Sequence, residues 1–205
     1  MRSQADGRVN AMRNSATRRE LAHRVALEGN VADALNQLLF GVVRPRGRNA
    51  VVISGDATET AFHTYILIEA ARRPDIETVL QGFGAEYASL YQGASADRLA
   101  RHAPYLVRVE NRTRAADWLI REGWGQGWGV WLRSTHDLTR MRQHFRKFTQ
   151  LYDPAEDRWY IFRFYSPEVA RRTIPSLPPR QYGEFLQGIA ALIVATEDGK
   201  GAVVI

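Results

Sequence analysis

Between residues 65 and 146 the sequence switches repeatedly between two apolar periods, and that alternation limits the folds open to it. Short runs rich in aliphatic and aromatic residues, 65–70 (YILIEA), 87–91, 105–109 and 128–132, read as strands. A helix signal follows each. Pro74-Asp75 opens a stretch with Ile76, Val79 and Leu80 on one face and Gly82 as its stop. Ser95 caps a short helix to Arg101, closed by Pro104. Thr113 opens a helix carrying Ala116, Leu119 and Ile120, ended by Gly123. Ser134 with Asp137 resembles a capping box, and Leu138, Met141, Phe145 and Phe148 then form a helical stripe. Four strand–helix units in succession need crossovers, so the expected class is α/β, a sheet with helices on its faces.

The rest of the body reads differently. Residues 149–152 and 159–165 flank the acidic turn Asp153-Pro154-Ala155-Glu156-Asp157 and predict a hairpin. Ser166-Pro167-Glu168 starts one helix, another follows Pro178-Pro179, and residues 191–196 and 202–205 read as a terminal hairpin. These hairpins predict a mixed sheet rather than a parallel one.

The N-terminal part is distinct in charge. Residues 1–50 hold nine Arg against four acidic residues, whereas the remainder holds 19 basic and 18 acidic residues. The expected organisation is therefore a basic, partly helical or disordered segment over 1–49 and an α/β domain over 50–205. Residues 17–40 carry a helical pattern, residues 41–49 are the linker candidate, and 50–54 form a short apolar run. No apolar stretch follows the first residues as a secretory signal requires. Asp6, Glu20 and the lack of an apolar face before Leu21 argue against a transit peptide. Because the body is nearly neutral, the high isoelectric point is weak support for nucleic-acid binding.

Catalytic chemistry finds little purchase. Cysteine is absent, which removes disulfides, thiolate metal ligands and a thiol nucleophile, and suits a reducing compartment. The histidines at 23, 63, 102, 136 and 144 form no helical ligand pair, so no metal is expected. No GxSxG elbow is present. Gly123-Trp-Gly-Gln-Gly-Trp-Gly129 has GxGxG spacing, but a helix precedes it and a strand follows, the reverse of a dinucleotide site. The glycines suit a tight turn, and Trp124 and Trp128 suit either core filling or an interface. Asp153, Glu156 and Asp157 are explained by a solvated turn. No stretch approaches the roughly 18–20 apolar residues that cross a bilayer.

Two segments mix aromatic or apolar residues with arginine. The helix after Ser134 carries Arg140, Arg142, Arg146 and Lys147, a solvated face or a dock for an acidic partner. In Trp159-Tyr-Ile-Phe-Arg-Phe-Tyr165, strand alternation separates a face with Trp159, Ile161, Arg163 and Tyr165 from one with Tyr160, Phe162 and Phe164. Such a text also suits a single-stranded nucleic-acid platform, which makes a nucleic-acid module, using this strand and the basic segment, the alternative function. The residues expected to contact a partner are Trp124, Trp128, Arg163 and Tyr165.

The ordered phrases of the body resemble a known family. They are Tyr65-Ile-Leu-Ile-Glu-Ala-Ala-Arg72, Gly84-Ala-Glu-Tyr-Ala-Ser-Leu-Tyr91, Ala103-Pro-Tyr-Leu-Val-Arg-Val-Glu110, Gly123-Trp-Gly with Trp128-Gly-Val-Trp-Leu-Arg-Ser134, Phe145-Arg-Lys-Phe148 and Tyr160-Ile-Phe-Arg-Phe-Tyr-Ser-Pro-Glu-Val169. In order and spacing they resemble the bacterial effector adaptor, or chaperone, domain of type VI secretion, over residues 64–186. The family commonly has Asp-Pro-Arg where Ser166-Pro167-Glu168 stands here, and many members carry a further C-terminal helical lobe. The resemblance implies a cytoplasmic, non-enzymatic protein without cofactor. Its partners would be a toxin effector and the VgrG-type spike, with no role for a membrane. An interface rich in aromatics and Arg fits that expectation.

Overall fold

The computed structural model describes residues 22–41, 62–153 and 155–205. The leader, most of the linker candidate and the run at 50–54 lie outside these. Strand β1 (His23–Ala26) comes first, then helix α1 (Val31–Phe40), whose N-terminus is capped by the Asn30 side chain accepting from the Ala32 N–H at 3.0 Å. Then follow β2 (His63–Glu69), a 3-10 turn (Ala70–Arg72), α2 (Ile76–Phe83), β3 (Tyr87–Ser89), α3 (Ala94–Arg98), a second 3-10 turn (Ala100–His102), β4 (Pro104–Val109), α4 (Arg114–Gly123) and β5 (Gly129–Ser134). The later elements are α5 (Leu138–Arg146), β6 (Gln150–Asp153), β7 (Arg158–Ile161), α6 (Pro167–Thr173), α7 (Pro179–Phe185), β8 (Ile189–Ala195) and β9 (Gly201–Val204).

The α/β class holds, with helices on the faces of a seven-stranded sheet in the order β1-β9-β8-β5-β2-β4-β3. Every described ladder is antiparallel, where hairpins and crossovers together predict a mixed sheet. The reason lies in the crossovers. The β2–α2–β3 unit skips one strand position and so does β4–α4–β5; β4 fills the first gap and β2 the second. Two interleaved split βαβ units thus give an antiparallel sheet from a strand–helix text.

Strand side chains alternate between two cores. Ile66, Ile68, Tyr105, Val107, Trp131 and Ile193 face Leu35 and Leu39 of α1, Ile76 and Leu80 of α2, and Leu119 and Ile120 of α4. Tyr65, Leu67, Leu106, Val130, Leu132 and Leu192 face Met141 and Phe145 of α5, Ala170 of α6 and Phe185 of α7. Each large apolar side chain so buried contributes about 1.5–3 kcal/mol. The sheet closes tightly at Gly129, where any Cβ would overlap the Leu67 carbonyl.

Three local expectations are corrected. His23–Ala26, read as part of a helical run, is the edge strand beside β9, because its alternate residues pack on the sheet. Gly84, at φ +64°, ends α2 rather than Gly82, since a left-handed residue is needed there. Asp137 rather than Ser134 caps α5, accepting from the Arg140 N–H at 2.7 Å. The Ser134 hydroxyl is committed to the Gly188 carbonyl at 2.6 Å. Among the described residues no helix is long and apolar enough to cross a membrane.

Candidate partner-binding surface

Strands β6 and β7 form a two-stranded sheet of their own, apart from the main sheet. The acidic turn between them bends because Asp157 adopts φ +49°, a region Asp tolerates, and because tyrosines hold its carboxylates. Tyr152 donates its hydroxyl to Asp157 Oδ1 at 2.6 Å, and Tyr160 donates to Glu156. Both phenols are held above their ordinary pKa by these carboxylates. At the base, the Phe162 N–H donates to the Thr149 carbonyl at 3.0 Å, and the Phe162 ring enters an aromatic cluster with Phe164 and Phe185.

The hairpin above that base is exposed on its apolar residues. Trp159 and Ile161 each expose 63%, Tyr152 exposes 47%, and Leu151 and Tyr160 are also exposed. Cross-strand register sets Tyr152 beside Trp159, with ring centroids 5.2 Å apart, and Gln150 beside Ile161. Isolated hairpins are marginal in water, and exposed apolar residues on such a strand mark an interaction surface.

Arg163 extends this surface toward the main sheet. Its Nε donates to Glu69 Oε1 at 2.9 Å and its Nη2 donates to the same oxygen. Glu69 is buried at the end of β2, whereas the arginine side chain is half exposed. The guanidinium is thereby fixed from beneath while its remaining N–H groups face outward. Trp159, Ile161 and Arg163 lie at alternate positions, and Trp159, Arg163 and Tyr152 are of the residue types enriched at interface hot spots.

The other residues expected at a partner surface sit elsewhere. Trp124 is half-buried and donates its indole N–H to the Gly199 carbonyl at 2.9 Å, tying the end of α4 to the β8–β9 turn. Trp128 is buried against Trp118, centroids 5.1 Å apart, with the Arg73 guanidinium 5.2 Å from its ring. Tyr165 is buried against Phe164. Its phenol is pushed well above the ordinary tyrosine value, first by burial and then by Tyr91. Arg163 alone of the four joins the exposed stripe. The residues added are Tyr152, Leu151, Trp159 and Ile161, whose signal was an apolar residue on both faces of a short hairpin.

Two shallow clefts of about 250 Å³ lie elsewhere, one lined by Thr64, Arg108 and Arg133, the other by Arg24, Arg171 and Asp198. Among the described residues no three His, Asp or Glu side chains gather as a metal would need.

A family model, the domain of unknown function DUF4123, matches residues 64–184, more than half of the chain. No curated protein and no solved structure matches it.

Proposed function

Because the chain belongs to the DUF4123 family, we propose that it is a cytoplasmic, non-enzymatic adaptor of type VI secretion, binding a toxin effector and promoting its loading onto the VgrG-type spike. The observation that carries this reading is the stripe Tyr152, Trp159, Ile161 and Arg163, which exposes aromatic and aliphatic surface on a hairpin held at its base. A protein partner that covers it gains apolar burial and an arginine already immobilised, so little side-chain entropy is lost on binding.

The test is co-expression of the tagged full-length chain with the products of its neighbouring genes, among which a toxin and a VgrG-type spike are expected. Recovery of both with the wild-type chain is expected. Loss of the toxin on Trp159→Ser with Ile161→Ser, at unchanged thermal stability, is expected too. Failure to retain either protein, or turnover of a small substrate that a single polar substitution abolishes, would overturn the reading.

A further inference from the structure

One arginine of the main sheet is buried without a counter-ion. Arg133, on β5, exposes 5%, and among the described residues no carboxylate lies within ion-pair distance of it. An arginine so buried is ordinarily paired. It sits where the start of β2 meets the ends of β4 and β5, since Thr64 is flanked in register by Val109 and Arg133. Its Nη1 donates to the Gly41 carbonyl at 2.9 Å, at the C-terminal end of α1. That bond suits a cation at a helix C-terminus, but it uses one N–H group of five. The Phe62 ring centroid lies 5.8 Å from the guanidinium carbon, a contact that answers no N–H. Nε is buried and has no hydrogen-bond partner among the described residues.

Capping α1 therefore accounts for one end of the guanidinium only. Arg163 shows what the Nε–Nη2 edge does when it is served: both groups converge on a carboxylate oxygen of Glu69. In Arg133 the Nε of that edge is unanswered, and the residue lines a cleft of about 250 Å³. Arg108, paired with Glu86 at 3.2 Å, adds a second cation to the lining. Phe40 and Phe62 add apolar surface, and Glu110, the acid among the lining residues, is exposed.

We propose that this cleft binds a carboxylate carried on an apolar or aromatic group, and that Arg133 holds it. A carboxylate presents two coplanar oxygens that match the Nε–Nη2 fork, and its carbon substituent lies against Phe40 and Phe62. Because Nε is shut off from water, the carboxylate reaches this edge as the half-buried Phe62 ring turns aside. The chemistry is that of a free organic acid or of the last residue of a peptide. The inference goes beyond the adaptor reading and stands without it.

The experiment is titration of the ¹⁵N-labelled full-length chain with benzoate, acetyl-Gly-Phe and the amide of acetyl-Gly-Phe, at constant ionic strength. The arginine Nε–H and backbone resonances are the readout. Saturable shifts of Arg133 Nε–H, Thr64 and Val109 are expected with a carboxylate, at a Kd of about 1 mM or tighter, and none with the amide. The tighter of benzoate and acetyl-Gly-Phe identifies the source, a free acid or a chain end, and either supports the site. Arg133→Gln should weaken binding at least tenfold. Should that variant fail to fold, Asn111→Asp serves in its place: it puts a negative charge on an exposed lining residue and should weaken binding at least threefold. The absence of a saturable shift, equal binding of the amide, or binding indifferent to Asn111→Asp and to a folded Arg133→Gln would overturn the proposal.

Discussion

Arg163 and Glu69 meet across the boundary of the core: two guanidinium N–H groups converge on Glu69 Oε1, and the buried Oε2 has no hydrogen-bond partner among the described residues. The carboxylate side chain exposes 3% and the arginine 49%, so an interior charge is compensated from the surface. The two residues therefore differ in what their loss costs.

Arg163→Met should destabilise the fold more than Glu69→Gln. The first leaves a buried carboxylate without its cation, at about 2–4 kcal/mol after allowing for the exposed side of the pair. The second leaves a neutral amide below and an arginine free to enter water, at about 1 kcal/mol. Urea denaturation of both variants checks the order. Equal costs would mean that the carboxylate is not held by Arg163.

Two tryptophans should separate structure from contact. Trp124→Phe removes the indole bond to the Gly199 carbonyl and should cost about 1 kcal/mol. Trp159→Ser, at a 63% exposed position, should change stability by no more than about 0.5 kcal/mol while abolishing toxin retention. Paired thermal melts and pull-downs measure both.

Gly129→Ala should prevent folding, since the new Cβ meets the Leu67 carbonyl and the backbone of β2 with no side chain able to give way. Gly127→Ala provides the contrast. Gly127 has φ +72° but open space around it, so only backbone strain of roughly 1–2 kcal/mol is added. Soluble yield and circular dichroism distinguish the two.

His144 should make stability depend on pH on the acid side. Its Nε2–H donates to the Phe185 carbonyl at 2.8 Å. Burial nevertheless holds its pKa below the ordinary value, Lys147 and His136 adding to that, against the opposing effect of the backbone bond. As pH falls below about 6.5 the unfolded chain takes up the proton before the folded one does, so stability declines; above that pH the contribution is flat. In His144→Gln that part of the decline between pH 7 and pH 5 should vanish, as read from denaturation midpoints across the range.

Residue patterns reveal the elements better than their arrangement. Thr113 caps α4 as its position suggests, and Met141 and Phe145 are buried as the helical stripe requires. The strand order escapes such reading because a crossover that skips one place has the same local text as one that does not. The candidate surface shows a similar limit. Alternation groups Trp159, Ile161, Arg163 and Tyr165 on one face, but the regular strand ends at Ile161. The Ser166 N–H then closes a turn on the Arg163 carbonyl at 2.9 Å, and Tyr165 rotates into the core. Period-2 reasoning holds only as long as the strand does.

The position of β9 has a consequence for synthesis. His23 pairs with Val204, and β9 lies between β1 and β8. On the ribosome β1 emerges well before its neighbour in the sheet. Strand β1 must wait, its hydrogen bonds to β9 unmade, until β9 arrives, and a nascent chain halted before β9 would display β1 as an unclaimed edge.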